Sequence, residues 1–259
     1  MSATHYFDAI GRVLGRIRST QLDKLQEAGA LMAGVIAAGG RVYLFGSGHS
    51  VIPVMDVFPR YGSFVGFYPL YDPRLMWSNV IGPNGARELL WLERREGYIE
   101  QFLQSYPMGA GDCLIVFSHG GMNAAPIEAA VYARAKGAKV VTVSSLENAR
   151  VARRTHSSGK ALPDLADIAL DNCIEPEDSQ VDVGRREKVA AGSTIAAVSI
   201  AMALVAETGA RLAAAGHDLR TFVSPNVPGV LPDHNLRVFD AYARKWYERA
   251  PEPVIRIDD

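Results

Sequence analysis

Cys113–Asn123 reads CLIVFSHGGMN, and this stretch decides the fold. Its first five residues are an unbroken apolar run, which is typical of a strand buried on both faces of a parallel sheet. Ser118–Asn123 is small, polar and Gly-rich, and Ala124–Lys136 then has the composition and spacing of a helix. The stretch therefore predicts a strand, a turn and a helix in direct succession.

A turn of this kind can bind an anion. Backbone N–H groups at a helix N-terminus lack partners within the helix, and the helix dipole favours negative charge there. Ser118 and Asn123 add short side chains that can hydrogen-bond to anionic oxygens, so we expect the phosphate group of a small molecule. The alternative is a tight turn that Asn123 merely caps, because Gly-rich turns without ligands are common.

A second turn of the same kind lies upstream. Arg41–Phe45 predicts a strand, Gly46–Ser50 (GSGHS) is the turn, and Val51–Phe58 begins a helix. Ser193-Thr194 is a third hydroxyl-rich helix start, for which simple N-capping is an equally good explanation. Together the three starts could surround one ligand. The candidate binding residues are Gly46, Ser47, Gly48, Ser50, Ser118, His119, Gly120, Gly121, Asn123, Ser193 and Thr194.

These turns do not match the common nucleotide-binding or hydrolase motifs. The dinucleotide fingerprint needs a glycine three residues after Gly48, where the chain has Val51. No Gly-Lys-Ser/Thr sequence marks a Walker A loop, and Gly46-Ser47-Gly48 is one residue too short for the G-x-S-x-G elbow. We accordingly expect no cofactor.

Strands alternate with helices along the rest of the chain. The other predicted strands are Phe64–Leu70, Ala138–Ser144 and one within Leu162–Asp171; the other predicted helices are Tyr6–Ala38, Ala86–Tyr106, Val189–Ala215 and Asp233–Glu248. This alternation predicts an α/β fold, a three-layer αβα sandwich around a doubly wound, mainly parallel sheet. We expect one domain over residues 1–259, with a helical extension at 1–40 and a C-terminal helix and tail at 233–259.

Composition limits the function classes. The 259 residues carry a net charge of −1, which gives no reason to expect nucleic-acid binding. No apolar run reaches the roughly 18–20 residues of a membrane span, and the N-terminus lacks the layout of a signal peptide. Two cysteines form neither a disulfide framework nor a metal cluster, and the histidines lack the spacing of a tight zinc site. We expect a cytoplasmic protein without a metal or a membrane partner.

The sequence resembles the sugar isomerase (SIS) domain family in LFGSGHS (Leu44–Ser50), IVFSHGGMNAAPIEAA (Ile115–Ala130) and AKVVTVSSL (Ala138–Leu146). The match is nearest to a branch often labelled phosphoheptose isomerase, with LERREGY at Leu92–Tyr98; N-acetylmuramic acid 6-phosphate etherase is more distant. The resemblance implies a Ser/Thr-rich loop that binds phosphosugars. Gly120 departs from the pattern, because the family has a second serine there.

Acid–base chemistry on a sugar needs carboxylate or imidazole groups whose pKa lies near neutrality. Glu93 and Glu96 are three residues apart on one predicted helix face, although a solvated charge cluster would look the same. The resemblance favours Glu93 as the base. His49 and His119 lie inside the two turns, and the resemblance implies that His234 could reach a neighbouring subunit's site or else only stabilise its own helix.

The expected function is therefore an enzyme that binds a phosphorylated sugar. It would isomerise the sugar between aldose and ketose forms, or cleave it as an etherase or lyase, with Glu93, His234, Glu96 and His49 as catalytic candidates. The expected partners are that sugar and further copies of the chain, in a homodimer or homotetramer. Two alternatives stay open: a non-catalytic phosphosugar sensor, and a binder of nonphosphorylated sugars.

Overall fold

Five short strands form one parallel sheet. The computed structural model describes residues 2–76 and 85–248. The strands are β1 Val42–Gly46, β2 Phe67–Pro69, β3 Cys113–Phe117, β4 Lys139–Ser144 and β5 Ile168–Asp171, in the order β2-β1-β3-β4-β5. All four neighbouring pairs are parallel. The chain therefore reverses its direction of winding at β1 and β3, so that the carboxyl ends of these two strands form the crevice where such sheets bind ligands.

Helices cover both faces of the sheet. They are α1 Ser2–Ala37, α2 Val51–Val57, α3 Ala86–Leu92, α4 Tyr98–Leu103, α5 Ala124–Ala135, α6 Leu146–Val151, α7 Ser193–Ala214 and α8 His234–Tyr247. The long helices α1 and α7 pack against each other and, with α2, cover one face. Helices α3, α4 and α5 cover the other face. The predicted three-layer α/β sandwich with additional terminal helices is confirmed.

The alternation of side chains along β3 explains the two-sided core. Cys113, Ile115 and Phe117 belong to the apolar cluster beneath α1, α2 and α7. Leu114 and Val116 belong to the cluster beneath α5. Because successive side chains of a strand point to opposite faces, one unbroken apolar run supplies both layers. Burial raises the pKa of the Cys113 thiol to about 12, so this cysteine acts as a small apolar side chain.

The terminal helices are fixed to the sheet by different contacts. The predicted helix at Tyr6–Ala38 is one helix, α1, whose buried stripe faces α7. In α8, Tyr242 stacks on Tyr68 of β2 with ring centroids 5.3 Å apart. The Arg41 guanidinium donates hydrogen bonds to the carbonyls of Lys245 and Trp246 at 2.6 and 3.0 Å. The tail that follows, residues 249–259, lies outside the described residues.

Helix α7 is long and apolar enough to cross a membrane by length and composition. Its burial gives a simpler account of that composition, because 44% of its apolar window is buried inside the fold. A core helix that packs between α1 and α2 needs apolar residues on more than one side. The prediction that the protein has no membrane partner stays a prediction.

Two predicted helices have different bounds in the structure. Ala86–Tyr106 divides into α3 and α4, because Gly97 has a left-handed φ of 86° between them. Val189–Ala191 is not the start of α7 but a strand, β7, which pairs antiparallel with β6 at Ser179–Val181. The predicted strand at Phe64–Leu70 is shorter, at Phe67–Pro69. Residues 77–84 lie outside the described residues.

Candidate functional site

A narrow cleft joins the carboxyl ends of β1 and β3 to the N-terminal end of α7. It brings together the three hydroxyl-rich helix starts that the sequence suggested. Its lining consists of His49, Ser50, Ser118, His119, Val143, Asn172, Ser193, Thr194 and Ala197. Most of these side chains carry hydrogen-bonding groups, but the cleft has a volume of only about 10 Å³, which is room for about one water molecule. A sugar-sized ligand therefore fits only if the cleft widens.

The first turn is held by a close backbone approach and by a carboxylate. A Cβ atom on Gly46 would lie 2.1 Å from the carbonyl oxygen of Ser50, so only glycine fits there. Ser47 donates a hydrogen bond from Oγ to Oε2 of Glu93 at 2.9 Å. This hydrogen bond holds the Glu93 carboxylate beside the first turn, although Ser47 and Glu93 are 46 positions apart in sequence.

Glu93 is a buried carboxyl group, only 7% exposed. It ends α3, and its own carbonyl accepts a hydrogen bond from the N–H of Ala125 at the start of α5, at 2.9 Å. Burial raises the pKa of Glu93 above its usual value, while the hydrogen bond from Ser47 and the charge of Arg94 oppose this shift. A buried carboxyl whose pKa moves towards neutrality has the property that a general base needs.

The second turn is held by hydrogen bonds to its carbonyl groups. The carbonyl oxygens of His119, Gly120, Gly121 and Met122 accept hydrogen bonds, in that order, from the Ser145 N–H, the Asn148 side chain, the Leu162 N–H and the Thr155 hydroxyl. Ser118 Oγ accepts from the Gly121 N–H at 3.1 Å. Among the described residues, no group accepts from the N–H groups of Gly120 and Met122. The turn therefore has its acceptors satisfied and keeps unpaired donors, which suits an anion.

His119 has one nitrogen fixed and the other unpaired. Asn172, 1% exposed, accepts from the Ile174 N–H through Oδ1, so its amide nitrogen is the donor to His119 Nδ1 at 3.1 Å. Because Nδ1 accepts, the proton of the neutral ring is on Nε2. His119 Nε2 is buried and has no hydrogen-bond partner among the described residues. The contact between Asn172 and His119 therefore leaves a buried Nε2–H group that can donate a hydrogen bond to a ligand oxygen.

Asn172→Asp is expected to move this proton. A carboxylate at position 172 can only accept, so His119 would protonate Nδ1 instead of Nε2 or carry both protons. Long-range proton–nitrogen NMR of the uniformly labelled protein distinguishes these forms. We expect the Nε2–H form in the wild type and its loss in the variant, with the signals of exposed His217 unchanged. A wild-type His119 protonated on Nδ1 would contradict the assignment.

The start of α7 is already bonded to a carboxylate. Asp178 accepts from the N–H groups of Gly192 and Ser193 at 3.0 and 2.7 Å and from the Ser193 hydroxyl at 2.6 Å. Ser193 therefore donates to Asp178 rather than into the cleft. Thr194 lines the cleft without this contact. An anion in the cleft would meet mainly the first two turns.

A family model of the SIS domain matches residues 5–145, which contain both turns and Glu93. The chain belongs to the SIS domain family. The resemblance first indicated by LFGSGHS and IVFSHGGMN is thereby confirmed. The matched region ends at Ser145, whose N–H donates to the carbonyl of His119 in the second turn.

Similar chains of nearly the same length occur in bacteria. A UPF0309 protein of Streptomyces coelicolor is 33% identical over 248 residues, which cover 95% of this SIS protein and 97% of the relative. A UPF0309 protein of Listeria innocua is 32% identical over 248 residues, covering 95% and 96% of the two chains. The SIS protein thus matches these relatives over almost their whole length.

Two solved structures share the fold. A phosphoheptose isomerase from Francisella tularensis superposes with a TM-score of 0.53 at 13% identity, over 80% of this chain and 96% of that one. A phosphoheptose isomerase from Neisseria gonorrhoeae gives a TM-score of 0.52 at 15% identity, over 80% and 96%. At this identity the likeness establishes only the fold of the SIS protein, so its reaction has to be inferred from its own residues.

Of the other acid–base candidates, His234 and Glu96 lie away from the cleft of their own chain and His49 lines it. His234 begins α8, and its Nε2 donates to the carbonyl of Thr221 at 2.8 Å. Glu96 is exposed, and its carboxylate accepts from the N–H and hydroxyl groups of Ser157, which lower its pKa. A low pKa makes Glu96 a weaker base than Glu93. His49 is the histidine of the first turn and lines the cleft.

Capping side chains also behave differently from the sequence expectation. Asn123 does occupy the N-cap position of α5, but its side chain makes no capping hydrogen bond. Asp233, at the N-cap position of α8, likewise makes no side-chain capping hydrogen bond and pairs with Arg237 at 2.6 Å. Asn123 therefore keeps its side chain available beside the second turn, which is compatible with a role in ligand binding.

Sequence reasoning missed three residues that shape the cleft. Asn148 holds the carbonyl of Gly120, Asn172 orients His119, and Asp178 occupies the start of α7. Asn172 directly follows β5, so its place at the carboxyl edge of the sheet was the signal that could have revealed it. Asp178 offered no such signal, because it precedes a hairpin whose strands were not predicted.

Proposed function

We propose that this SIS protein binds a phosphorylated sugar in the cleft and isomerises it between aldose and ketose forms. The observation that carries the proposal is the second turn, whose carbonyls are bonded to neighbours while the N–H groups of Gly120 and Met122 find no acceptor in residues 2–76 and 85–248. Such a turn favours the phosphate group, with Ser118, Asn123 and the first turn as further donors. Thr194 would complete this set.

Proton transfer between adjacent carbons needs a base and a donor to the carbonyl oxygen. We assign Glu93 as the base, because it is buried, its pKa is raised and Ser47 orients it. His119 Nε2–H is the donor that the Asn172 contact favours, and His49 is the second histidine of the cleft. Removal of a proton beside a carbonyl also begins elimination, so etherase or lyase chemistry would use the same residues.

The assembly and the location belong to the same proposal. His234 lies outside its own cleft and could contribute only to the site of another copy. We therefore propose a homodimer or homotetramer in the cytoplasm. Sedimentation at several protein concentrations measures the assembly, and a monomer at all of them would remove His234 from the catalytic residues.

The first experiment is a thermal-shift screen with the purified wild type. Sugar phosphates and their parent sugars are tested as pairs, because a ligand at a hundredfold excess over its Kd stabilises the folded state by about 2.7 kcal/mol. A shift with a phosphate but not with its parent sugar, followed by NMR detection of aldose–ketose conversion, is the expected result. Binding without conversion would favour a sensor, and binding of the parent sugar alone would contradict the phosphate site.

Gly120→Ser is expected to strengthen phosphate binding. The residue has no left-handed φ, and a Cβ atom there would lie 3.9 Å from the Asn148 side chain, so serine fits. A hydrogen bond to a charged group contributes about 1.5 kcal/mol, which is roughly a tenfold lower Kd. Isothermal titration with the sugar phosphate found in the screen measures this change.

Gly121→Ser is the matched control. Gly121 has a φ of 65°, and a Cβ atom would lie 3.4 Å from Leu162, so serine there strains the turn. We expect a lower Tm and no gain in affinity. Equal affinities for the wild type and for a fully folded Gly120→Ser variant would contradict a phosphate position beside residue 120.

A further inference from the structure

We infer that Glu96, Glu128 and His156 form a binding site for one divalent transition-metal ion, with zinc as the best fit. The ligand atoms of the three side chains lie within 4.8 Å of one another. His156 Nε2 is 3.7 Å from Glu128 Oε1 and 3.9 Å from Glu96 Oε2. Glu96 comes from the turn between α3 and α4, Glu128 from α5, and His156 from the segment that follows α6.

Two polar atoms in this cluster are buried without partners. The His156 side chain is only 9% exposed, and its Nε2 has no hydrogen-bond partner among the described residues. Glu128 Oε2 is likewise buried and unpaired. A buried polar atom without a partner costs free energy, so a bound ion or an ordered water that contacts these atoms would be stabilised there. The separations of 3.7 and 3.9 Å are too long for hydrogen bonds within the cluster.

A separate hydrogen bond orients each ligand side chain. Ser157 donates to both oxygens of Glu96, and the Gly97 N–H donates to Glu128 Oε1 at 2.6 Å. His156 Nδ1 accepts from the Ser158 N–H at 3.1 Å, so Nε2 carries the proton of the neutral ring in this structure. A metal ion at Nε2 must displace that proton, and Ser158 Oγ, 2.8 Å from Nδ1, can then accept from the ring when Nδ1 is protonated instead. Metal ligands are normally oriented by such outer hydrogen bonds.

The donor set selects the kind of ion. One imidazole and two carboxylates suit zinc and other first-row divalent ions, whereas magnesium prefers oxygen ligands alone. A tetrahedral zinc site holds its ligand atoms about 3.3 Å apart. The two His156–carboxylate separations of 3.7 and 3.9 Å would shrink by about half an ångström on binding zinc, and a fourth position would be open to water.

The position of the site suggests a structural role. Glu96 follows the end of α3 at Glu93, and Thr155, next to His156, donates to the carbonyl of Met122 in the second turn at 2.8 Å. An ion at the cluster would therefore link the segment around His156 to the turn after α3. This site lies outside the cleft, and it stands whether or not the cleft binds a sugar phosphate.

Isothermal titration of the chelator-treated full chain with zinc chloride tests the inference. We expect one zinc ion per chain and a higher Tm, with at least a tenfold weaker Kd in Glu128→Gln and in His156→Gln. His217→Gln, which changes an exposed histidine outside the cluster, should bind as the wild type does. No zinc binding by the wild type, or unchanged binding in both variants, would overturn the site.

Two further measurements keep the test decisive. If Glu128→Gln or His156→Gln does not fold, Ser158→Ala removes only the outer contact and should still weaken zinc binding about tenfold. Cobalt chloride gives a visible spectrum that reports its ligands. We expect a spectrum without a thiolate charge-transfer band, because the ligands are nitrogen and oxygen; a thiolate band would place the ion at a cysteine and overturn the assignment.

Discussion

Glu93→Gln is expected to lower kcat about 10²–10⁴-fold, the contribution of a positioned general base. The amide is nearly the same shape, and its oxygen can still accept the hydrogen bond that Ser47 donates. Ligand binding should therefore persist, and the thermal shift with the sugar phosphate should be close to that of the wild type. Steady-state kinetics and the shift assay measure the two effects separately.

The pH dependence follows from the direction of the pKa shift. The base acts when it is ionised, and burial raises the pKa of Glu93 above the ordinary 4.5. The acidic limb of the kcat profile should therefore lie above pH 4.5, with activity rising as the pH increases. A limb at the pH of an exposed carboxyl would assign the base to another residue.

Stability should change with pH in the opposite direction. A carboxyl whose pKa is raised on folding stabilises the protein fully below its unfolded pKa, and this contribution is lost as the pH rises through the folded pKa. Glutamine does not ionise, so Glu93→Gln does not lose this contribution. The free energy of unfolding of the variant minus that of the wild type should therefore increase from pH 4.5 towards neutrality. Urea unfolding at several pH values measures this.

Glu100→Gln is the matched control for these experiments. Glu100 lies on the neighbouring helix α4 and is exposed. Its replacement removes the same charge without touching the cleft, so kcat should stay unchanged. A Glu93→Gln variant that folds, binds ligand and keeps the wild-type kcat would exclude Glu93 as the base.

Gly46→Ala is expected to destabilise the fold by about 3 kcal/mol, in the upper range for overpacking a rigid site. The added Cβ atom would lie 2.1 Å from the carbonyl oxygen and 2.6 Å from the carbonyl carbon of Ser50. These are backbone atoms, so no side-chain rotation relieves the clash. The first turn must open, and ligand binding should weaken with it.

Gly34→Ala provides the comparison for this substitution. Gly34 is an exposed position within α1, and a Cβ atom there meets no heavy atom within 4 Å. Alanine should stabilise α1 by about 0.5–1 kcal/mol. Urea unfolding of both variants gives the contrast, and equal midpoints for Gly46→Ala and the wild type would show that the turn is not held as described.

The sheet and its turns were predictable from sequence because their signals are local. Cys113–Phe117 is apolar at every position, and the small residues of Ser118–Asn123 follow directly. The exchange of apolar residues for Gly and Ser marks the end of a buried strand wherever it occurs. The sites where turns follow strands could therefore be placed at one edge of the sheet before any contact was known.

The break between α3 and α4 and the β6–β7 hairpin were not predictable in this way. The composition of Ala86–Tyr106 is helical on both sides of Gly97, whose left-handed φ of 86° and N–H bond to Glu128 mark the break. The three residues of β7, Val189–Ala191, are all apolar, so no alternation of polar and apolar residues marks that strand in the sequence. Both features depend on pairing with distant residues.

The same reason explains what was missed around the cleft. The contact of His119 with Asn172 spans 53 positions, and that of Glu96 with Ser157 spans 61. Three side chains from a turn, a helix and a loop show no ligand spacing in the sequence, so the sequence did not indicate the cluster at His156. A site whose side chains come from several separate elements can be recognised only in the folded chain.

The packing of α1 on α7 has a consequence for biosynthesis. Helix α1 leaves the ribosome well before its partner, because α7 begins 156 residues after α1 ends. At elongation rates of 5–20 residues per second, synthesis of the chain between α1 and α7 takes roughly 8–30 s, and the apolar stripe of α1 cannot pack on α7 before then. During that interval the nascent chain exposes a long amphipathic surface, so chaperone capture of the unfinished chain and late closure of this layer are expected.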